Sequence, residues 1–167
     1  MITDELRKSL AEYLTINYVQ IIENMPDYLS DTEVTKDSGV TNDSSTLTLD
    51  QLMDEVGASF HDMLFMFIDR SGMTDAEVYK RANLDRKLFS KIRSNPAYHP
   101  RKQTVLALAI ALELNIDDTA DLLARAEYAL SPGNKGDLIV RYFIEKGVYD
   151  IMTINFALDE YGQATLA

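Results

Sequence analysis

Residues 73 to 95 read M-T-D-A-E-V-Y-K-R-A-N-L-D-R-K-L-F-S-K-I-R-S-N. Thr74 followed three residues later by Glu77 is a capping box, in which the hydroxyl and the carboxylate each take up a backbone N–H that a first helical turn leaves without a partner. That opens a short helix to Ala82. Asn83 tolerates the left-handed backbone a tight turn requires, and Asp85 is a good N-cap for a second helix running to about Ser94, where Pro96 follows. Two short helices joined in this way hold a steep crossing only if a few apolar residues lock them, here Val78, Leu84, Phe89 and Ile92. With Phe89 and Ile92 turned inward, Arg86, Lys87, Ser90 and Lys91 fall on the outward ridge near the start of the second helix. The stretch predicts a helix-turn-helix with a cationic outer face.

Its surroundings predict further helices. Upstream, Phe60, Met63, Leu64, Phe67 and Ile68 share one helical face, which Gly72 closes. Met66 and the neighbouring phenylalanines are expected to fill the core with Met63. Downstream of a loop from Pro96 to Pro100, the run containing Val105, Leu108, Ala109 and Leu112 predicts a strongly apolar helix. Asn115 and Asp117 begin another, with Leu122, Leu123 and Ala126 inward. Ser131-Pro132 precede a helix carrying Leu138, Ile139, Tyr142 and Phe143 up to Gly147. Asp150 caps a last one, with Ile151, Ile154 and Leu158 inward, ending at Gly162. No useful run alternates with period two, so the expected class is all-α.

The first sixty residues divide differently. Thr3-Asp4-Glu5 places acids at the positive end of a helix dipole, and Leu6, Leu10, Tyr13, Leu14 and Tyr18 recur at helical spacing. From Asp27 to Asp50 the chain is rich in Ser, Thr, Asp and Asn without an apolar period, the composition of a solvated linker. The organisation expected is an isolated N-terminal amphipathic helix over 1–25, a flexible polar linker over 26–56, and a helix-turn-helix domain over 57–167. A helix of five turns is marginal alone in water, so its stripe needs a partner surface, either the main domain or another chain.

Charge is unevenly spread over the 167 residues. The net charge is −11, which by itself argues against a nucleic-acid partner. Between Lys80 and Lys102, however, lie eight of the sixteen basic residues and one acid, Asp85, a local balance of +7. The rest carries eight basic and 26 acidic residues, a balance of −18. With no cysteine and only His61 and His99 as imidazoles, a metal centre is not expected, nor is any cofactor. Gly-rich phosphate loops and nucleophile elbows are missing, and the adjacent acids Asp117-Asp118 and Asp159-Glu160 diverge on a helix, so an enzyme is not expected. The longest uncharged apolar stretch, Thr104 to Leu112, is far short of a membrane helix, and the N-terminus has no leader pattern; the expected location is the cytoplasm.

The quoted segment resembles the helix-turn-helix of the lambda-repressor-like (XRE) class. More narrowly, residues 59 to 162 resemble an uncharacterised bacterial module common in Firmicutes, found alone or C-terminal to macro domains. The stretches that carry this are A-N-L-D-R-K-L-F-S-K-I-R-S (Ala82 to Ser94), A-L-A-I-A-L-E-L-N (Ala107 to Asn115) and D-L-L-A-R-A-E-Y-A-L-S (Asp121 to Ser131). The resemblance implies a lambda-repressor-like helical bundle that binds DNA and controls transcription. The chain departs from the broad pattern at Asp75, where a phosphate-contacting Gln is usual, at Tyr79 for a small residue, at Asn83 for the turn Gly, and at Arg93 for an acid.

The expected function is therefore a DNA-binding transcriptional regulator, with double-stranded DNA as partner and a homodimer as the working form, since one short helix reads few bases. Arg86, Lys87 and Ser90 are expected to read base edges. Lys91, Arg93, Arg101 and Lys102 are expected to hold phosphates, which gives a slope near −4 in log affinity against log salt per monomer if about four phosphates are neutralised. His99, in Tyr98-His99-Pro100, is expected in a loop within reach of a phosphate. The alternative is a protein-binding adaptor, or an acidic inhibitor of phage or defence origin, that reuses the same fold and meets a basic partner through its acidic surface. A bland reading also stands: the basic window is a solvated face balanced by nearby acids such as Asp69 and Asp75.

Overall fold

A computed structural model describes residues 2–23 and 57–167, residues 19–23 by their backbone alone. The linker expected over 26–56 lies outside the described residues. Among those described there are eight helices and no strand: α1 (Asp4–Glu23), α2 (Phe60–Ser71), α3 (Asp75–Arg81), α4 (Arg86–Ser94), α5 (Lys102–Ala111), α6 (Ile116–Arg125), α7 (Lys135–Glu145) and α8 (Ile151–Glu160). The class is all-α, as the periodicity predicts. None of these helices is long and apolar enough to cross a membrane.

Helix α5 is the axis of the bundle. Every residue from Thr104 to Ala111 is buried, so this helix is apolar all round, as a central element must be. Around it pack α3, α6 and α8, while α2 lies on α6 and α7 on α6 and α8. The inward residues anticipated for these helices are buried, among them Leu64, Val78, Leu108, Leu122, Ile139, Phe143, Ile154 and Leu158. Met63 and Phe65 are only half-buried, and Met66 departs further. It lies off the stripe of Phe60, Leu64, Phe67 and Ile68 and is 51% exposed, so it fills no core.

Helix ends explain how so many short helices fit. Gly72, Gly147 and Gly162 adopt positive φ, and so do Asn83, Glu113 and Glu127. At Asn83 the following N–H, of Leu84, returns to the Tyr79 carbonyl at 2.8 Å; at Glu113 that of Leu114 returns to Ala109 at 3.0 Å. At these two positions the left-handed residue thus satisfies carbonyls at a helix end and turns the chain sharply toward the next N-cap. Asp85 and Asn115 are those caps, and like Asn134 and Asp150 further on each accepts a backbone N–H of the new helix. Ser131-Pro132-Gly133 form the turn before α7, closed by the Asn134 N–H on the Ser131 carbonyl.

The N-terminal helix is not isolated. It packs along α7, burying Ile2, Leu10 and Leu14, with the Tyr13 and Tyr142 rings 5.1 Å apart and Arg7 bonded to Glu160. Burial there, helped by the Glu145 carboxylate, raises the Tyr13 hydroxyl above its ordinary pKa. Of the two partner surfaces open to its apolar stripe, the stripe uses the main domain. The C-terminal residues also return to the bundle, where Leu166 is buried and its N–H donates to Asn155 at 2.8 Å.

Candidate nucleic-acid interface

Helices α3 and α4 carry six of the eight basic residues of the window, Lys80, Arg81, Arg86, Lys87, Lys91 and Arg93, while Arg101 and Lys102 lie at the start of α5. The Thr74 hydroxyl accepts the Glu77 N–H, and the Glu77 carboxylate accepts the Thr74 N–H at 2.7 Å and its hydroxyl at 2.8 Å. Those bonds hold the Glu77 carboxyl below its ordinary pKa, the backbone contact contributing most. Ser59 and Asp62 form the same box at the start of α2, with the Asp62 carboxyl depressed chiefly by the Ser59 hydroxyl. Asp85 starts α4 by accepting the Lys87 N–H at 2.7 Å.

Helix α4 rests on α3 through Val78, Phe89 and Ile92, all buried. Its middle is held by an aromatic cluster: Phe89 meets Phe65 at 6.4 Å and Tyr79 at 5.9 Å. His61 of α2 donates its Nε2–H to the Arg93 carbonyl at 3.0 Å, satisfying one of the carbonyls that a helix end leaves open. A helix of nine residues is thereby fixed in place while its other side stays in solvent.

The seven residues expected at the interface do not all sit alike. Arg86, Lys87 and Ser90 are exposed, and among the described residues neither Arg86 nor Lys87 is in an ion pair. Both lie in the first turn of α4, which contains no acid, where cations oppose the helix dipole. Lys91 lies over the Tyr98 ring at 4.5 Å. Arg93 stacks on Phe65 at 4.4 Å and pairs with Asp75 at 3.0 Å. Arg101 is exposed beside the start of α4, where the two line one cleft with Asp85 and Leu88. Lys102 is drawn away, its ammonium bonded to the buried Asp137, which also accepts the Ser131 N–H.

A cleft of about 370 Å³ runs between α3 and α4, with Ala76, Tyr79 and Phe89 as its apolar lining and Asp75, Arg86, Ser90, Arg93 and Ser94 as its polar groups. His99, in its loop, points elsewhere: its Nε2 is 2.8 Å from the Ala126 carbonyl and its ring packs on Tyr128, whose hydroxyl donates to the Pro100 carbonyl. The loop after α4 is pinned to the end of α6.

No protein-family model, curated protein or solved structure matches the chain.

One contact escapes sequence reading outright, and a second leaves a trace in it. The Lys102–Asp137 pair spans 35 residues, and nothing local in a single chain announces it. The Asp75–Arg93 pair joins two residues that depart from the repressor-like pattern, one an acid and one a base; that complementarity was the available signal. Of the two acids that the bland reading offered as balance, Asp75 takes part in an ion pair and Asp69 has none among the described residues.

Proposed function

We propose that the chain is a transcriptional regulator of the lambda-repressor-like type, acting in the cytoplasm, that binds duplex DNA through the outer face of α4. The observation carrying this reading is the placement of Arg86 and Lys87. They are exposed, they have no carboxylate partner among the described residues, and they occupy the end of α4 where the dipole disfavours them. Charges so placed do nothing for folding; they serve an external anion. Ser90, one turn further along, supplies a hydroxyl on the same ridge, so that Arg86, Lys87 and Ser90 face base edges in a major groove.

Phosphate contacts fall to the flanks. Lys91 and Arg101 are exposed and hold no carboxylate among the described residues, whereas Arg93 and Lys102 are already in ion pairs. Two to three neutralised phosphates per monomer replace the four that sequence alone gives, for a salt slope of roughly −2 to −3. A homodimer on a two-fold site supplies the remaining affinity.

The α3–α4 cleft favours a second reading. Its lining of Ala76, Tyr79 and Phe89 suits an apolar side chain of a protein partner, as an adaptor would require. Selection from a randomised duplex library separates the two. The DNA reading predicts enrichment of a two-fold motif by the native chain and none by the Arg86→Glu/Lys87→Glu variant. No enrichment by the native chain would overturn it.

A further inference from the structure

We propose that Asp75 is an internal competitor for DNA phosphate: it holds Arg93, the second cation of the α3–α4 cleft, and keeps duplex affinity below what the basic face would otherwise give. The inference rests on the DNA reading above and names a control element of the same site. Three ionised side chains line the cleft, Asp75, Arg86 and Arg93. Asp75 is its one carboxylate, and it is bonded to Arg93 at 3.0 Å.

Geometry makes the exchange like for like. A guanidinium binds a carboxylate and a phosphate with the same planar donors, so an arriving phosphate can take the place of the Asp75 carboxylate. The Arg93 and Asp75 side chains are 51% and 39% exposed, so the bond lies where solvent and a ligand reach it and contributes little to the fold. Stacking of Arg93 on Phe65 at 4.4 Å keeps the guanidinium at the cleft once the carboxylate lets go. Asp75 acts twice, withholding one cation and adding one negative charge to a surface that meets a polyanion.

The two effects are separable with four proteins: the native chain, Asp75→Asn, Arg93→Gln and the double variant. Each is titrated by fluorescence anisotropy against a labelled short duplex of randomised sequence, over a series of salt concentrations. Thermal melts of the same samples establish that each is folded. Asp75→Asn should tighten binding at least about threefold at low salt and steepen the salt slope by about one. Arg93→Gln alone should weaken binding by no more than about twofold, through the Asp75 charge it leaves unpaired, and the double variant should fall clearly short of Asp75→Asn, keeping only the relief of repulsion.

Equal tightening in Asp75→Asn and in the double variant would overturn the inference, since relief of repulsion alone would then suffice. So would strong weakening by Arg93→Gln alone, which would put Arg93 on the duplex from the start. Native binding that Asp75→Asn does not improve overturns the inference and leaves the DNA reading standing. No binding by any of the four overturns both.

Discussion

The turn at Asn83 and the turn at Glu113 are built alike, yet the helices they open present opposite charge. In each, a helix ends on a left-handed non-glycine residue, a leucine follows whose N–H reaches back into the helix just completed, and a polar N-cap comes next: Asn83-Leu84-Asp85 and Glu113-Leu114-Asn115. Beyond the cap, α6 opens with Asp117 and Asp118, acids at the positive end of its dipole, and Arg70 pairs with Asp118 at 2.6 Å. Helix α4 opens with Arg86 and Lys87. The shared backbone device sets the fold, and the outward charges are free to vary. On α6 they suit the helix dipole; on α4 they oppose it, an asymmetry that the proposed DNA contact would account for.

That contrast breaks most sharply if charge is reversed on α4. Arg86→Glu/Lys87→Glu should weaken duplex binding by roughly a hundredfold while leaving the melting temperature unchanged or higher, because acids there suit the dipole. A fall in stability with binding retained would show that the two cations are structural. The structural likeness of the turns can be tested with Asn83→Val and Glu113→Val. Each places a β-branched residue in left-handed backbone and should cost about 1–2 kcal/mol in denaturant unfolding; a neutral result at either position would mean that its turn is not required. The caps come next: Asp85→Ala and Asn115→Ala should each cost about 1 kcal/mol, and unequal losses would separate two turns that the geometry treats as equivalent.

The smallest effect concerns pH. The Asp62 and Glu77 carboxyls are depressed in the folded chain by their capping contacts with Ser59 and Thr74. Groups of this kind stabilise the fold fully above their unfolded value and lose that contribution as pH falls through the folded one. Melting temperature should therefore drop as pH is lowered below about 4.5, and Thr74→Ala with Ser59→Ala should flatten that part of the profile. Helix α4, with no acid in its first turn beyond the cap, offers no equivalent.

Most of the helices were legible in the sequence because their limits are local chemistry. Thr74 and Glu77, Asn83, Asp85, Gly72, Asn115, Gly147 and Asp150 do what their residue types dictate within a few positions, and the apolar stripes at helical spacing are buried. The docking of α1 was half legible: its stripe demanded a surface, and choosing α7 takes tertiary knowledge that spacing does not hold. Met66 misleads because in a run as apolar as Phe60 to Ile68 its spacing reads like that of the stripe, which it in fact lies beside. At the site, exposure of Arg86, Lys87 and Ser90 followed from Phe89 and Ile92 being inward. The fates of Lys102 and Arg93 did not, since each depends on a carboxylate from another helix. Nothing in the run of basic residues shows which charges are already spoken for.

The dependence of duplex affinity on salt tests the central claim most directly. For the native chain, log affinity against log salt should fall with a slope of roughly −2 to −3 per monomer, and that slope should shrink by more than about one in Lys91→Gln/Arg101→Gln, which removes the two proposed phosphate contacts. A flat native profile, or the same steep slope in both proteins, would contradict a DNA-binding role for the outer face of α4.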